Sequence, residues 1–148
     1  MTRLVIDASV AVKWVVTEDG TDEAVSLLSG QRLSAPDLLV AECANILWKK
    51  VRRDELTAEE AMVAARIIQR ADVELHPMRA LMEPAAQLAI DLDHPAYDCV
   101  YLALAMAHGW QFVTADTRFL NKARQSSPAV AQSVLSLEET AGSSGGRH

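Results

Sequence analysis

Leu4-Val5-Ile6-Asp7 is a β-branched apolar run only three residues long, and it stops on an acid. A run this short is too small for a helix and reads as a buried strand. The pattern returns near the other end of the chain, where Gln111-Phe112-Val113-Thr114 reads as a strand and Asp116 follows it. Between these two runs the hydrophobic pattern is mostly helical. Short buried strands separated by helices point to an α/β fold with a short, mainly parallel central sheet covered by helices on both faces.

The remaining elements follow from local signals. Ser9 is placed to cap a helix over Val10–Val16, and Thr21–Leu28 reads as a second short helix. Leu33-Ser34-Ala35 leads into Pro36, from which a long amphipathic helix is expected to run to Arg53. Thr57-Ala58-Glu59-Glu60 is a capping box that opens a helix reaching Arg70. Val73–His76 alternates like a strand, and Met78–Leu92 is helical in period. After the break at Asp93-His94-Pro95, Tyr97–His108 forms an apolar helix closed by Gly109. A basic helix over Arg118–Arg124 and a short strand at Val134-Leu135 complete the reading. Residues 1–140 are expected to form one domain and residues 141–148, rich in Gly and Ser, a flexible tail.

Composition narrows the class. With 148 residues, half of them hydrophobic and 23% charged, the chain has the balance of a single folded domain. No apolar run approaches the roughly 18–20 residues of a membrane span. Asp7 stands where a signal peptide would still be apolar, so a cytoplasmic protein is expected. Cys43 and Cys99 form no CxxC pair, and His76, His94, His108 and His148 show no zinc-ligand spacing. The formal net charge of −6 speaks against a broad basic nucleic-acid surface, but not against acids gathered at a metal with bases along the rim.

Four acids stand apart from the rest. Asp7 and Asp116 follow strands, at the edge where parallel sheets build their ligand sites. Glu42 and Asp98 lie near helix starts, each the only charge in an apolar run, where a charge is costly unless paired or bound to a cation. For each acid alone, a cap or a buried ion pair explains it equally well. Asp37, Glu83, Asp91 and Asp93 read as caps or solvated charges. Together the four pose a different problem, since like charges about 4 Å apart repel by about 4 kcal/mol at an effective dielectric near 20. A divalent cation, or protonation of some of the acids, relieves that repulsion, and for a cation the oxygen ligands favour Mg²⁺, with Mn²⁺ as a substitute. Such a site suits hydrolysis of phosphate esters by activated water.

The segments Val5-Ile6-Asp7-Ala8-Ser9-Val10, Ala41-Glu42-Cys43-Ala44-Asn45, Tyr97-Asp98-Cys99-Val100-Tyr101-Leu102-Ala103-Leu104-Ala105 and Phe112-Val113-Thr114-Ala115-Asp116 occur in the order and spacing of a known family. From about Leu4 to Leu137 the chain resembles PIN-domain ribonucleases, specifically the VapC-type toxins of type II toxin–antitoxin pairs. The resemblance implies an Mg²⁺-dependent endoribonuclease with Asp7, Glu42, Asp98 and Asp116 as its catalytic and metal-binding acids. Asp7 and Asp98 would be the most direct ligands, Asp116 would complete the site, and Glu42 would act directly or through water. Ser9, Asn45 and Thr114 match small polar positions that orient carboxylates or water. The products implied are a 5′-phosphate and a 3′-hydroxyl, and the partners an RNA substrate, a cognate antitoxin and a second copy of the chain. The sequence departs from the family after Asp116, where Thr117-Arg118 supplies no second acid.

Lys13, one turn beyond Ser9, and Arg118 are candidate RNA contacts. Lys49, Lys50, Arg52 and Arg53 read as charges that satisfy a helix dipole. Trp14, Val10, Leu38, Leu39, Ile46 and Trp48 read as core, with some left over for a partner helix. Other enzyme classes fit less well: a haloacid-dehalogenase-type phosphatase needs an acid where Ser9 stands, and a receiver domain needs early paired acids and a late Lys. A PIN-type module that binds RNA or protein without cutting stays as the alternative.

Overall fold

The computed structural model describes residues 2–140, so the expected tail over 141–148 lies outside the described residues. Five strands form one sheet in the order β3-β2-β1-β4-β5: β1 (Thr2–Ile6), β2 (Gln31–Pro36), β3 (Val73–His76), β4 (Gln111–Thr114) and β5 (Val134–Ser136). Every neighbouring pair is parallel, where the sequence had promised only a mainly parallel sheet. Strands buried on both faces need no polar alternation, and Val5, Ile6, Phe112 and Val113 are all fully buried.

The chain runs outward from β1 to β3, returns across the sheet to β4 beside β1, and continues outward to β5. The direction of travel therefore reverses between β1 and β4. At such a switch point the connections leaving neighbouring strands diverge and open a crevice beyond their carboxyl ends. Helices α1 (Ala8–Lys13), α2 (Thr21–Ser26), α3 (Leu38–Arg52) and α4 (Ala58–Gln69) carry the outward leg. Helices α5 (Met82–Leu92), α6 (Ala96–His108), α7 (Thr117–Arg124) and α8 (Pro128–Ala131) follow β3 and β4. The principal helix contacts fall into these two sets, α1 with α3 and α3 with α4, then α5 with α6 and α7 with α8. Right-handed crossovers on either side of the switch put the two sets on opposite faces. No helix among the described residues is long and apolar enough to cross a membrane.

Three local readings change. The expected cap Ser9 lies inside α1. Asp7 is the N-cap, with extended backbone and a carboxylate that accepts from the Val10 N–H. The segment leading into Pro36 is a strand in its own right, buried from Leu33 to Pro36, and α3 begins at Leu38. Pro36 fits because it is the last residue of β2, and the Asp37 N–H extends the ladder by donating to His76 O at 2.9 Å. A turn of 3₁₀ helix over Arg79–Leu81 precedes α5, and the short α8 opens on Pro128 after the Ser127 cap. The Thr57 capping box forms as the spacing indicates.

Under the switch point, Phe112 is fully buried between two rings. It stacks on Tyr101 of α6 at 5.5 Å and meets Phe119 of α7 edge-on at 5.7 Å. Those helices carry Asp98 and follow Asp116. Phe112→Ala is therefore expected to lower unfolding free energy by about 3–5 kcal/mol in urea titration, and Phe112→Leu by much less.

Candidate active site

The four acids reach one cleft from four separate stretches of chain. The cleft, of about 550 Å³, is lined by Asp7, Glu42, Asp98 and Asp116 together with Ser9, Asn45, Ile46, Lys49 and Tyr97. It opens beyond the carboxyl ends of β1 and β4. A second hollow of about 360 Å³ shares Glu42, Asp98 and Asp116 and adds His94, Arg118 and Lys122.

Asp7 is almost fully buried, and its carboxylate is held by three donors. Oδ1 accepts from Ser9 Oγ at 2.6 Å and from the Val10 N–H at 3.2 Å, and Oδ2 accepts from Thr114 Oγ1 at 2.6 Å. Thr114 in turn accepts the Asp116 N–H at 3.1 Å, so one hydroxyl links the acid after β1 to the acid after β4. Asp116 caps α7, its Oδ1 accepting from the Phe119 N–H at 3.1 Å. Glu42 Oε1 accepts from the buried Tyr101 hydroxyl at 2.6 Å. Asp98 Oδ2 lies 2.7 Å from His94 Nε2. In Glu42, Asp98 and Asp116 one carboxylate oxygen is thus tied to the scaffold, and the other has no protein donor among the described residues.

Electrostatics follow from this crowding. Burial raises the Asp7 carboxyl above its ordinary range despite its hydrogen bonds, and the charge of Asp116 adds to the rise. Burial, then the charge of Asp7, raises Glu42. Asp98 is pushed up to about 6, mainly by burial, with Asp7 and Asp116 adding to the rise and His94 opposing it. Carboxylates that resist ionisation for lack of a counter-charge are what a divalent cation would relieve. Ligand atoms of His94, Asp98 and Asp116 all lie within 4.8 Å of one another, and oxygen predominates in the whole set, as hard cations prefer.

Ser9 and Thr114 both touch Asp7, and Asn45 lines the cleft one turn beyond Glu42 on α3. Arg118 lines the adjoining hollow. Lys13 does not reach either one. Its ammonium is bound to Glu18 Oε1 at 3.2 Å and to Asp19 O at 2.7 Å, where it closes the turn before α2. Lys49 stands in the last turn of α3, as a helix-end charge should, and also lines the cleft. His94 and Tyr101 were not singled out as site residues from the sequence. Their signal was spacing around Asp98: His94 lies four residues before it across a helix start, and Tyr101 three residues after it on the same turn of α6.

A PIN-domain family model matches residues 4–125. The chain belongs to the PIN-domain family. Over 125 residues it is 33% identical to the VapC ribonuclease Mb0985 of Mycobacterium bovis, an alignment covering 84% of this chain and 94% of that protein. This PIN domain also superposes on the crystal structure of PAE2754 from Pyrobaculum aerophilum with a TM-score of 0.72 at 18% identity, over 99% of this chain and 91% of the other. VapBC2 from Rickettsia felis, solved bound to a DNA fragment from its promoter, gives a TM-score of 0.63 at 13% identity, covering 91% and 98%. The last two likenesses concern the fold. The first places the chain among the VapC ribonucleases.

A raised carboxyl favours the folded state while it is protonated. Stability from Asp98 is therefore present below the ordinary carboxylate range and is lost as pH rises towards 6. The side chain is 24% exposed, and after that discount the shift corresponds to about 1–2 kcal/mol. In EDTA at pH 8, Asp98→Asn should raise the melting temperature by about 3–6 °C, with little change at pH 4. Thermal scans at the two pH values check this.

Proposed function

We propose that this PIN domain is an Mg²⁺-dependent endoribonuclease, with Mn²⁺ as a substitute, and the toxin of a type II toxin–antitoxin pair. The observation that carries the reading is the meeting of Asp7, Glu42, Asp98 and Asp116 in one cleft at the β1–β4 switch point. Asp7 and Asp98 are the most direct candidates to hold the cation, Asp116 completes the set, and Glu42 acts directly or through water. A bound Mg²⁺ supplies a Lewis acid that polarises a phosphoryl oxygen and lowers the pKa of water.

The chain's own groups do the rest. Ser9 and Thr114 hold the Asp7 carboxylate in place, and Tyr101 does the same for Glu42. Arg118, Lys122 and Lys49 lie at the rim, where phosphates of an RNA strand would otherwise meet only negative charge. Attack of the water oxygen on phosphorus breaks the bond to O3′, which takes up a proton. The products are a 5′-phosphate and a 3′-hydroxyl.

A cognate antitoxin is the second partner. Val40 and Trp48 on α3 are 62% and 53% exposed, while Leu38 and Ile46 carry the same helix into the cleft. A partner segment lying on α3 would cover these apolar groups and reach the acids. A homodimer is proposed on the family resemblance.

Purified, antitoxin-free protein should cut RNA with Mg²⁺ or Mn²⁺, stop on addition of EDTA, and lose at least about 100-fold in rate in Asp7→Asn. Cutting that persists in EDTA or in Asp7→Asn would contradict the metal-centred reading. Tight RNA binding without any cutting by folded protein would favour the silent module.

A further inference from the structure

We infer that His94 is a positioning residue for Asp98, holding one carboxylate oxygen so that the other faces the cation. The inference rests on the metal-site reading above and extends it to a residue outside the four acids.

The backbone fixes His94 before its side chain acts. Helix α5 ends with Asp93 in the left-handed conformation at φ 50°, and the His94 N–H donates back to Ala89 O at 3.1 Å, a Schellman-type closure. Lys122 Nζ donates to Asp93 O at 2.6 Å and ties the same corner to α7. Pro95, at φ −53° and ψ 141°, then starts α6. The imidazole packs edge-on against Phe119 at 5.0 Å, and the side chain is only 9% exposed. Backbone closure and packing thus leave the ring little freedom.

The two ring nitrogens differ. Nε2 lies 2.7 Å from Asp98 Oδ2, and a carboxylate only accepts, so Nε2 carries the hydrogen. Nδ1 is buried with no hydrogen-bond partner. An N–H stranded there would be lost to any acceptor, whereas a bare lone pair leaves no donor unmet. The ring is thus the Nε2–H tautomer, a fixed donor aimed at Oδ2. Oδ1 of Asp98 has no protein donor among the described residues and is the oxygen available to a cation. Ligands held by outer hydrogen bonds lose about 10–100-fold in metal affinity when that support is removed.

The test uses the full chain. Multiple-bond ¹H–¹⁵N correlation of the histidine rings reports the tautomer, and electron paramagnetic resonance of free Mn²⁺ reports affinity in wild type, His94→Ala and His94→Gln. Circular dichroism checks that each variant folds. Expected are the Nε2–H tautomer, a loss of about 10–100-fold in Mn²⁺ affinity in His94→Ala, and recovery of most of it in His94→Gln, whose amide can donate from the same place. Pulsed spectra of bound Mn²⁺ should show no directly coordinated imidazole nitrogen. Wild-type affinity in folded His94→Ala, the Nδ1–H tautomer, failure of folded His94→Gln to recover affinity, or an imidazole coupling that His94→Ala abolishes would each overturn the positioning role. No Mn²⁺ binding by the wild-type chain would sink the metal-site reading itself, and this inference with it.

Discussion

The burial of the Asp7 carboxylate is the constraint on which the site depends. A charge taken out of water at the end of a core strand is costly, and Ser9, the Val10 N–H and Thr114 are the donors that offset the cost. Two of these come from the first turn of α1, so the acid and its helix form together. The third comes from β4, so the acid also reports the pairing of β1 with β4. Because Thr114 both donates to Asp7 and accepts from the Asp116 N–H, a shift of either strand end would disturb both acids at once. A cluster tied in this way is built to keep its geometry against its own repulsion.

That repulsion also explains the charge plan of the surface. The chain carries a net charge of −6, yet Lys49, Arg118 and Lys122 gather at the mouth of the acidic cleft. Lys122 also ties Asp93 O to α7, and lysines elsewhere close the fold too. Lys13 and Lys50 both pair with Glu18, and they hold the α1–α2 turn against α3. Bases thus close the fold or stand at the rim of the cleft, and Lys122 does both.

Much of this was legible in the residues. Glu42 and Asp98 stood out because each interrupts an apolar run, Asp7 and Asp116 because each follows a strand, and β1 and β4 because β-branched and aromatic residues leave little choice but a buried strand. β2 was harder to read, since Ser34 and Pro36 interrupt its apolar pattern and only the parallel neighbours on both sides make a strand of it. Ser9 drew attention as a cap because Ser is a good one, but Asp7 is better placed and takes the role, leaving Ser9 to donate to it. His94 and Tyr101 could not be assigned from ligand spacing, because each acts on a carboxylate and not as part of a motif of its own. Lys13 and Lys49 show where helical spacing stops short: it tells which face a side chain shares, and only the packed neighbours tell what that face meets.

The most direct measurement is anomalous X-ray diffraction from crystals of the full chain grown with Mn²⁺. A metal-centred site predicts an anomalous peak in the cleft, coordinated by the carboxylates of Asp7 and Asp98 and lost in crystals of Asp98→Asn. Mn²⁺ seen only at surface carboxylates, with the four acids in their metal-free arrangement and no peak between them, would contradict it.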